Sequence, residues 1–182
     1  MANEPKSLSF DEFADELLTE SQPRALVILA SAKVDRQLRS LIETFLLPKS
    51  GKIDAQDDLL DGDNPLATFS SRIKFCRRAG LIDDNLGKTL DKLRGLRNQA
   101  AHWVSFGIAA PPLRDQLKHL HSEVTARRSY KLTVARFFGT HVLSPENQLQ
   151  ATLLTLTVLL ESIHAKSANN PRASVRPAKP SN

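Results

Sequence analysis

The segment "GLRNQAAH", residues 95–102, contains side chains whose types and spacing could do chemistry. Arg97 and His102 lie five residues apart. Metal-free RNA cleavage needs an arginine that stabilises phosphate and a histidine that transfers a proton. The alternative is a structural cluster that joins neighbouring helices through hydrogen bonds. The direction in which each side chain points decides between these interpretations.

Helical periodicity places Arg97 and His102 on different sides of their helix. Each residue advances about 100° around an α-helix, so the two side chains are separated by about 140° and cannot meet within one helix. The apolar stripe of this predicted helix consists of Leu86, Leu90, Leu93, Ala100 and Val104. Arg97 falls inside that stripe, and we therefore expect it to be buried.

A buried guanidinium is costly unless a carboxylate or several carbonyl groups receive it. Asp35, at the edge of the apolar face of the long second helix, is the first candidate for the partner of Arg97. Glu43 and Glu161 are weaker candidates.

Asn98 and His102 lie four residues apart on the polar side of the same helix. Gly95 shares this side, so a second helix or subunit could approach closely there. The candidate binding or structural cluster is thus Asp35, Arg97, Asn98 and His102. No catalytic residue is assigned, except under the alternative interpretation, in which Arg97 and His102 are catalytic.

Apolar residues at three- and four-residue spacing predict an all-α, single-domain helical bundle of about six helices in residues 1–166. The predicted helices begin at the Ser9 capping box, near Arg24, at Asn64-Pro65, at Asp83, after Pro112 and at Ser144. The segment 130–143 could be extended or helical, because it is rich in β-branched and aromatic residues. Residues 167–182 are rich in Pro, Ser and Asn, which predicts a disordered basic tail.

The composition argues against several kinds of site. A single cysteine, Cys76, rules out an internal disulfide and a cysteine-based zinc site, and the five histidines show no metal-ligand spacing. We therefore expect no metal or cofactor. No apolar run is long enough to span a membrane, and no export signal is recognisable, so we expect a cytoplasmic protein.

The formal charge of +5 is unevenly placed, because three of these charges lie in the tail, residues 167–182. The rest of the chain has a net charge close to zero, which is weak evidence for a surface that binds the phosphates of a nucleic acid. Residues 72–95 predict a helix, a glycine-containing turn and a second helix, the order found in helix-turn-helix DNA-binding motifs. The second helix, however, would begin with Asp83 and Asp84, which would face the negatively charged groove of the DNA. We therefore favour an αα-hairpin and expect no direct DNA binding.

The last predicted helix carries leucines on more sides than one buried face requires. These are Leu149, Leu153, Leu154, Leu156, Leu159 and Leu160. We expect another chain to cover part of this surface, which predicts a homodimer.

Three blocks resemble the mannitol operon repressor (MtlR/MltR) family in their order and spacing. They are "RALVILASAKVDRQLRSLIETFLL", "NPLATFSSRIKFCRRAGLI" and "LRGLRNQAAHWVSF". The resemblance implies a small all-helical bacterial protein that regulates mannitol uptake and use. It implies no DNA-reading motif, so we expect a non-enzymatic regulator that acts through a protein partner.

The element "RNQAAH" also resembles the R-x4-H motif of HEPN-type helical domains, which include metal-independent ribonucleases and inactive binding members. In active HEPN dimers the arginine and histidine of two protomers line a shared cleft. Under this alternative RNA is the substrate, His102 transfers the proton and Arg97 stabilises the phosphate.

Overall fold

Seven α-helices and no strand make up the described part of the chain, which comprises residues 9–46, 57–109, 111, 113–139 and 142–169 of a computed structural model. The helices are α1 (Phe10–Thr19), α2 (Pro23–Phe45), α3 (Phe69–Arg78), α4 (Asp84–His102), α5 (Leu113–Thr125), α6 (Arg128–Phe137) and α7 (Pro145–Asn169). The predicted all-α class is confirmed. The predicted tail begins at residue 167, but α7 continues to Asn169, and residues 170–182 lie outside the described residues.

The helix added to the six predicted ones is α6. It covers the first part of segment 130–143, whose sequence was compatible with an extended or a helical conformation. Its aromatic residues find partners in the folded chain, because the ring of Phe137 lies 6.3 Å from that of Phe10. Thr133 is buried on the same helix, which packs against α5 and α7. Tertiary packing therefore outweighs the local preference for an extended conformation.

Three of the predicted helix starts are confirmed by their caps, and one is wrong. Ser9 forms the expected capping box with Glu12, Asp83 caps α4, and Ser144 caps α7 by accepting from the N–H of Asn147 at 3.2 Å. However, α3 begins at Phe69, with Thr68 as its N-cap, rather than at Asn64-Pro65. The side chain of Asn64 donates to the carbonyl of Asp57 at 3.2 Å and so belongs to the preceding turn.

Helix α7 is enclosed by α1, α2, α5 and α6, which explains its leucines. Leu149, Leu153, Leu154, Leu156 and Leu160 are all buried within this single chain. The threonines between them are buried too, and their hydroxyls donate to carbonyls of the preceding turn, as Thr155 does to Ala151 at 2.7 Å. The spread of leucines is thus no evidence for a dimer, and the homodimer stays a prediction.

Helices α3 and α4 form an αα-hairpin that packs on α2. The side chain of Arg77 crosses Gly87, where any Cβ would collide with it. No helix of the described part of this chain approaches Gly95 closely, because a Cβ there would meet no described atom within 4 Å, and approach by a second subunit stays a prediction. The two helices of the hairpin therefore pack closely near the start of α4, at Gly87, whereas α3 does not cover the second half of α4.

Candidate functional site

A cleft of about 470 Å³ opens between α2, the beginning of α3 and the second half of α4. We call it the α2–α3–α4 cleft. Asp35, Arg97 and Asn98 line it, together with Arg94. Of the four residues in the predicted cluster, three are thus brought together. His102 is exposed at the end of α4 and is not part of the lining.

The predicted burial of Arg97 is wrong, because its side chain is exposed at the cleft. The buried face of α4 shifts along the helix: Leu86 and Leu90 mark it at the start, and Leu96 and Ala100 mark it near the end. Leu96 lies about 100° from Arg97 around the helix. Arg97 therefore turns away from the core. Val104, also placed in the buried stripe, lies beyond the end of α4 and is fully exposed.

The buried arginine of this region is Arg72 on α3, of which 7% is exposed. Its Nη1 donates to Asp35 Oδ2 at 2.8 Å, and its Nη2 donates to the carbonyl of Leu60 at 3.0 Å. Asp35 therefore receives a buried guanidinium, as expected, but the wrong arginine was predicted. Arg72 follows Phe69 by three residues and precedes Cys76 by four, a spacing that puts it on the apolar face and could have identified it.

The weaker carboxylate candidates do not bind Arg97 either. Glu43 accepts from Arg39 Nε at 2.8 Å, one helical turn away. Among the described residues, Arg97 makes only a long contact, 3.4 Å, from Nη1 to the side-chain oxygen of Asn98. Its charge therefore faces the cleft without a carboxylate partner among the described residues.

Arg94, Arg97 and Asn98 project from one face of α4, because they stand three and four residues apart. Arg94 forms an ion pair with Asp91, in which Arg94 Nε lies 3.3 Å from Asp91 Oδ1. The one carboxylate in the lining, Asp35, is paired with Arg72. The cleft therefore has a net positive charge and would attract an anion.

The beginning of α3 forms the opposite wall of the cleft. Thr68 and Ser71 form a capping box, in which the N–H of Ser71 donates to Thr68 Oγ1 at 3.1 Å. The N–H groups of Phe69 and Ser70, at the first two helical positions, have no acceptor within the helix. Because Phe69 and Ser70 line the cleft, these N–H groups lie at its wall.

Two buried polar atoms beneath the cleft have no hydrogen-bond partner among the described residues. They are the hydroxyl of Ser31 and Oδ1 of Asp35. Ser31 is only 3% exposed, yet it lines the cleft. Buried polar groups are normally paired, so these atoms mark a place where a ligand or water could bind.

Burial perturbs two titratable groups outside this cleft, Cys76 and His121. Burial raises the pKa of the Cys76 thiol to about 12, which makes it unreactive. His121 Nδ1 lies 2.8 Å from the Thr152 hydroxyl, and burial lowers its pKa. No group of His, Cys, Asp or Glu side chains in the described residues could hold a metal ion. Within the same residues, no helix is both long enough and apolar enough to cross a membrane.

The solved structures that are similar to this chain include the following two. The crystal structure of a possible transcriptional regulator, YggD, from Shigella flexneri 2a str. 2457T matches with a TM-score of 0.61 at 16% identity, covering 90% of this chain and 99% of that chain. A chain of the MtlR-HPr complex from Escherichia coli matches with a TM-score of 0.58 at 18% identity, covering 85% and 98%. No family model and no curated protein matches the sequence. The likeness shows that this chain shares the fold of these proteins.

Proposed function

We propose that this chain is a non-enzymatic, cytoplasmic regulator of the MtlR type that acts through contact with a protein partner. The observation that carries the proposal is the likeness in fold to YggD and to the MtlR-HPr complex, over nearly the whole length of both matched chains. Because HPr is named in that complex, a partner of the HPr type is the first to test.

The charged groups of the α3–α4 hairpin support protein contact over DNA reading. Asp83 accepts from the N–H of Leu86 at 2.6 Å and thereby caps α4. Asp84 pairs with Arg77 and with Lys88. The helix start that would enter a DNA groove thus carries two carboxylates, which stabilise the hairpin and would be repelled by phosphates.

Titration calorimetry of the full chain with HPr from the same host tests the proposal. We expect saturable binding at a fixed stoichiometry, unchanged by added nuclease. A small acidic protein unrelated to HPr is the control for non-specific charge attraction. Absence of heat with HPr, together with no protein recovered on the chain from host lysate, would overturn the proposed mode of action.

A HEPN-type ribonuclease remains the second proposal, because Arg97 and His102 are both exposed. Only Arg97 lines the cleft, so this activity would need the two residues from different protomers of the predicted homodimer. The test is incubation with single-stranded and structured RNA in EDTA. Cleavage that His102→Ala abolishes would support the enzyme, whereas intact RNA at micromolar protein would refute it.

A further inference from the structure

We propose that the α2–α3–α4 cleft binds a small hydroxylated phosphate monoester, with the phosphate between Arg97, Arg94 and the beginning of α3. This inference is independent of the proposed regulatory role, because binding is measured directly on the purified chain.

The proposed phosphate position rests on three groups of donors that belong to residues lining the cleft. The N–H groups of Phe69 and Ser70 lie at the positive end of the α3 dipole, where anions bind. Arg94 and Arg97 face them from α4. Guanidinium groups form paired, charge-assisted hydrogen bonds with phosphate oxygens. Arg97 is available for this, since its one hydrogen bond to a described residue is the 3.4 Å approach to Asn98.

A second, independent observation is the unpartnered hydroxyl of Ser31. Ser31 is only 3% exposed and lines the cleft, and its buried hydroxyl has no partner among the described residues. An unpaired buried hydroxyl is unfavourable unless a bound molecule satisfies it. Asp35 Oδ1 is also a buried atom without a hydrogen-bond partner among the described residues, because Arg72 donates to Oδ2.

These two oxygens determine the rest of the ligand. Asp35 Oδ1 can only accept a hydrogen bond, so it requires a donor such as a hydroxyl on the bound molecule. The volume of about 470 Å³ exceeds that of a phosphate ion and suits a small organic molecule. A phosphate group joined to a few hydroxyl-bearing carbons therefore fits both ends of the cleft.

The test uses inorganic phosphate, glycerol 3-phosphate and glycerol as probes, at constant ionic strength, with amide NMR spectra of the full chain. We expect the N–H signals of Phe69 and Ser70 to shift with both phosphate compounds and not with glycerol. Glycerol 3-phosphate should bind more tightly than inorganic phosphate. No shift at millimolar probe, or equal shifts with chloride, would overturn the proposal.

Variants separate a built site from general charge attraction. Arg97→Gln should weaken glycerol 3-phosphate binding about tenfold, since it removes a charge-assisted pair. Arg114→Gln is the matched control, because it removes the same charge from an exposed arginine outside the cleft and should change binding by less than about twofold. Equal losses in the two variants would contradict a specific site.

Ser31→Ala provides a further test, since the substitution should weaken binding of glycerol 3-phosphate without lowering the melting temperature of the free chain. Unchanged affinity would contradict the role given to its hydroxyl. A phosphoserine peptide that binds in the cleft more tightly than glycerol 3-phosphate would show that the ligand is a protein rather than a small molecule, and would overturn the proposal as stated.

Discussion

Arg72→Ala should destabilise the chain strongly, whereas Arg97→Ala should not. The Arg72 guanidinium makes two hydrogen bonds, to Asp35 at 2.8 Å and to the carbonyl of Leu60 at 3.0 Å, and is almost fully buried. Breaking a buried ion pair costs about 3–5 kcal/mol. Because 30% of the Asp35 side chain is exposed and can regain water, we expect the lower end of that range, about 3 kcal/mol.

Thermal unfolding followed by circular dichroism measures this difference. In a domain of this size each kcal/mol shifts the melting temperature by about 2–4 °C, so Arg72→Ala should lower it by about 6–12 °C. Arg97→Ala removes an exposed side chain with one long contact and should change stability by less than about 0.5 kcal/mol.

A second variant distinguishes the charge of Arg72 from its volume. Arg72→Met keeps most of the packing but leaves Asp35 unpaired, and adding Asp35→Asn should restore part of the lost stability. Arg72→Ala that melts within 1 °C of the wild type, or Arg97→Ala that is as unstable as Arg72→Ala, would refute this account of the two arginines.

Three other predictions concern single side chains. Cys76 should react slowly with a thiol reagent at pH 8 and fast in urea, since burial raises its pKa to about 12; fast labelling of the folded chain would contradict this. Ser9→Ala should cost about 1 kcal/mol in urea unfolding, because it removes a capping box, and Ser9→Asp should restore most of it. Burial lowers the pKa of His121 below its usual 6.5. The folded state therefore disfavours its protonation, and the associated stability should be lost as the pH falls below about 6.5. His121→Gln should reduce this loss and the exposed control His119→Gln should not.

The sequence predicted most of the fold because helix caps and apolar spacing are local signals. Ser9 and Asp83 marked helix starts correctly. The start of α3 was missed because Asn64-Pro65 resembles a cap, while the tertiary turn that uses Asn64 cannot be read locally. The conformation of α6 was likewise decided by packing rather than by its own residues.

The candidate site was predicted in part, for a physical reason. The cleft contains Asp35, Arg97 and Asn98, but helical angles measured from Leu86 assume a buried face of constant direction. On α4 that face shifts toward Leu96, which exposes Arg97. Arg72 carried the better signal, since it lies between Phe69 and Cys76 on an apolar face. The sequence carried no signal for Ser31, because its unpaired hydroxyl results from the packing of the folded chain alone.

The proposed regulatory role is tested most directly by transcript levels of a polyol uptake operon in the native host, with the gene deleted and with the deletion complemented by the full chain. The account predicts that deletion changes these levels in the presence or absence of mannitol, and that the complementing chain restores them. It also predicts that His102→Ala complements as well as the wild type. Unchanged transcripts on deletion would contradict the account.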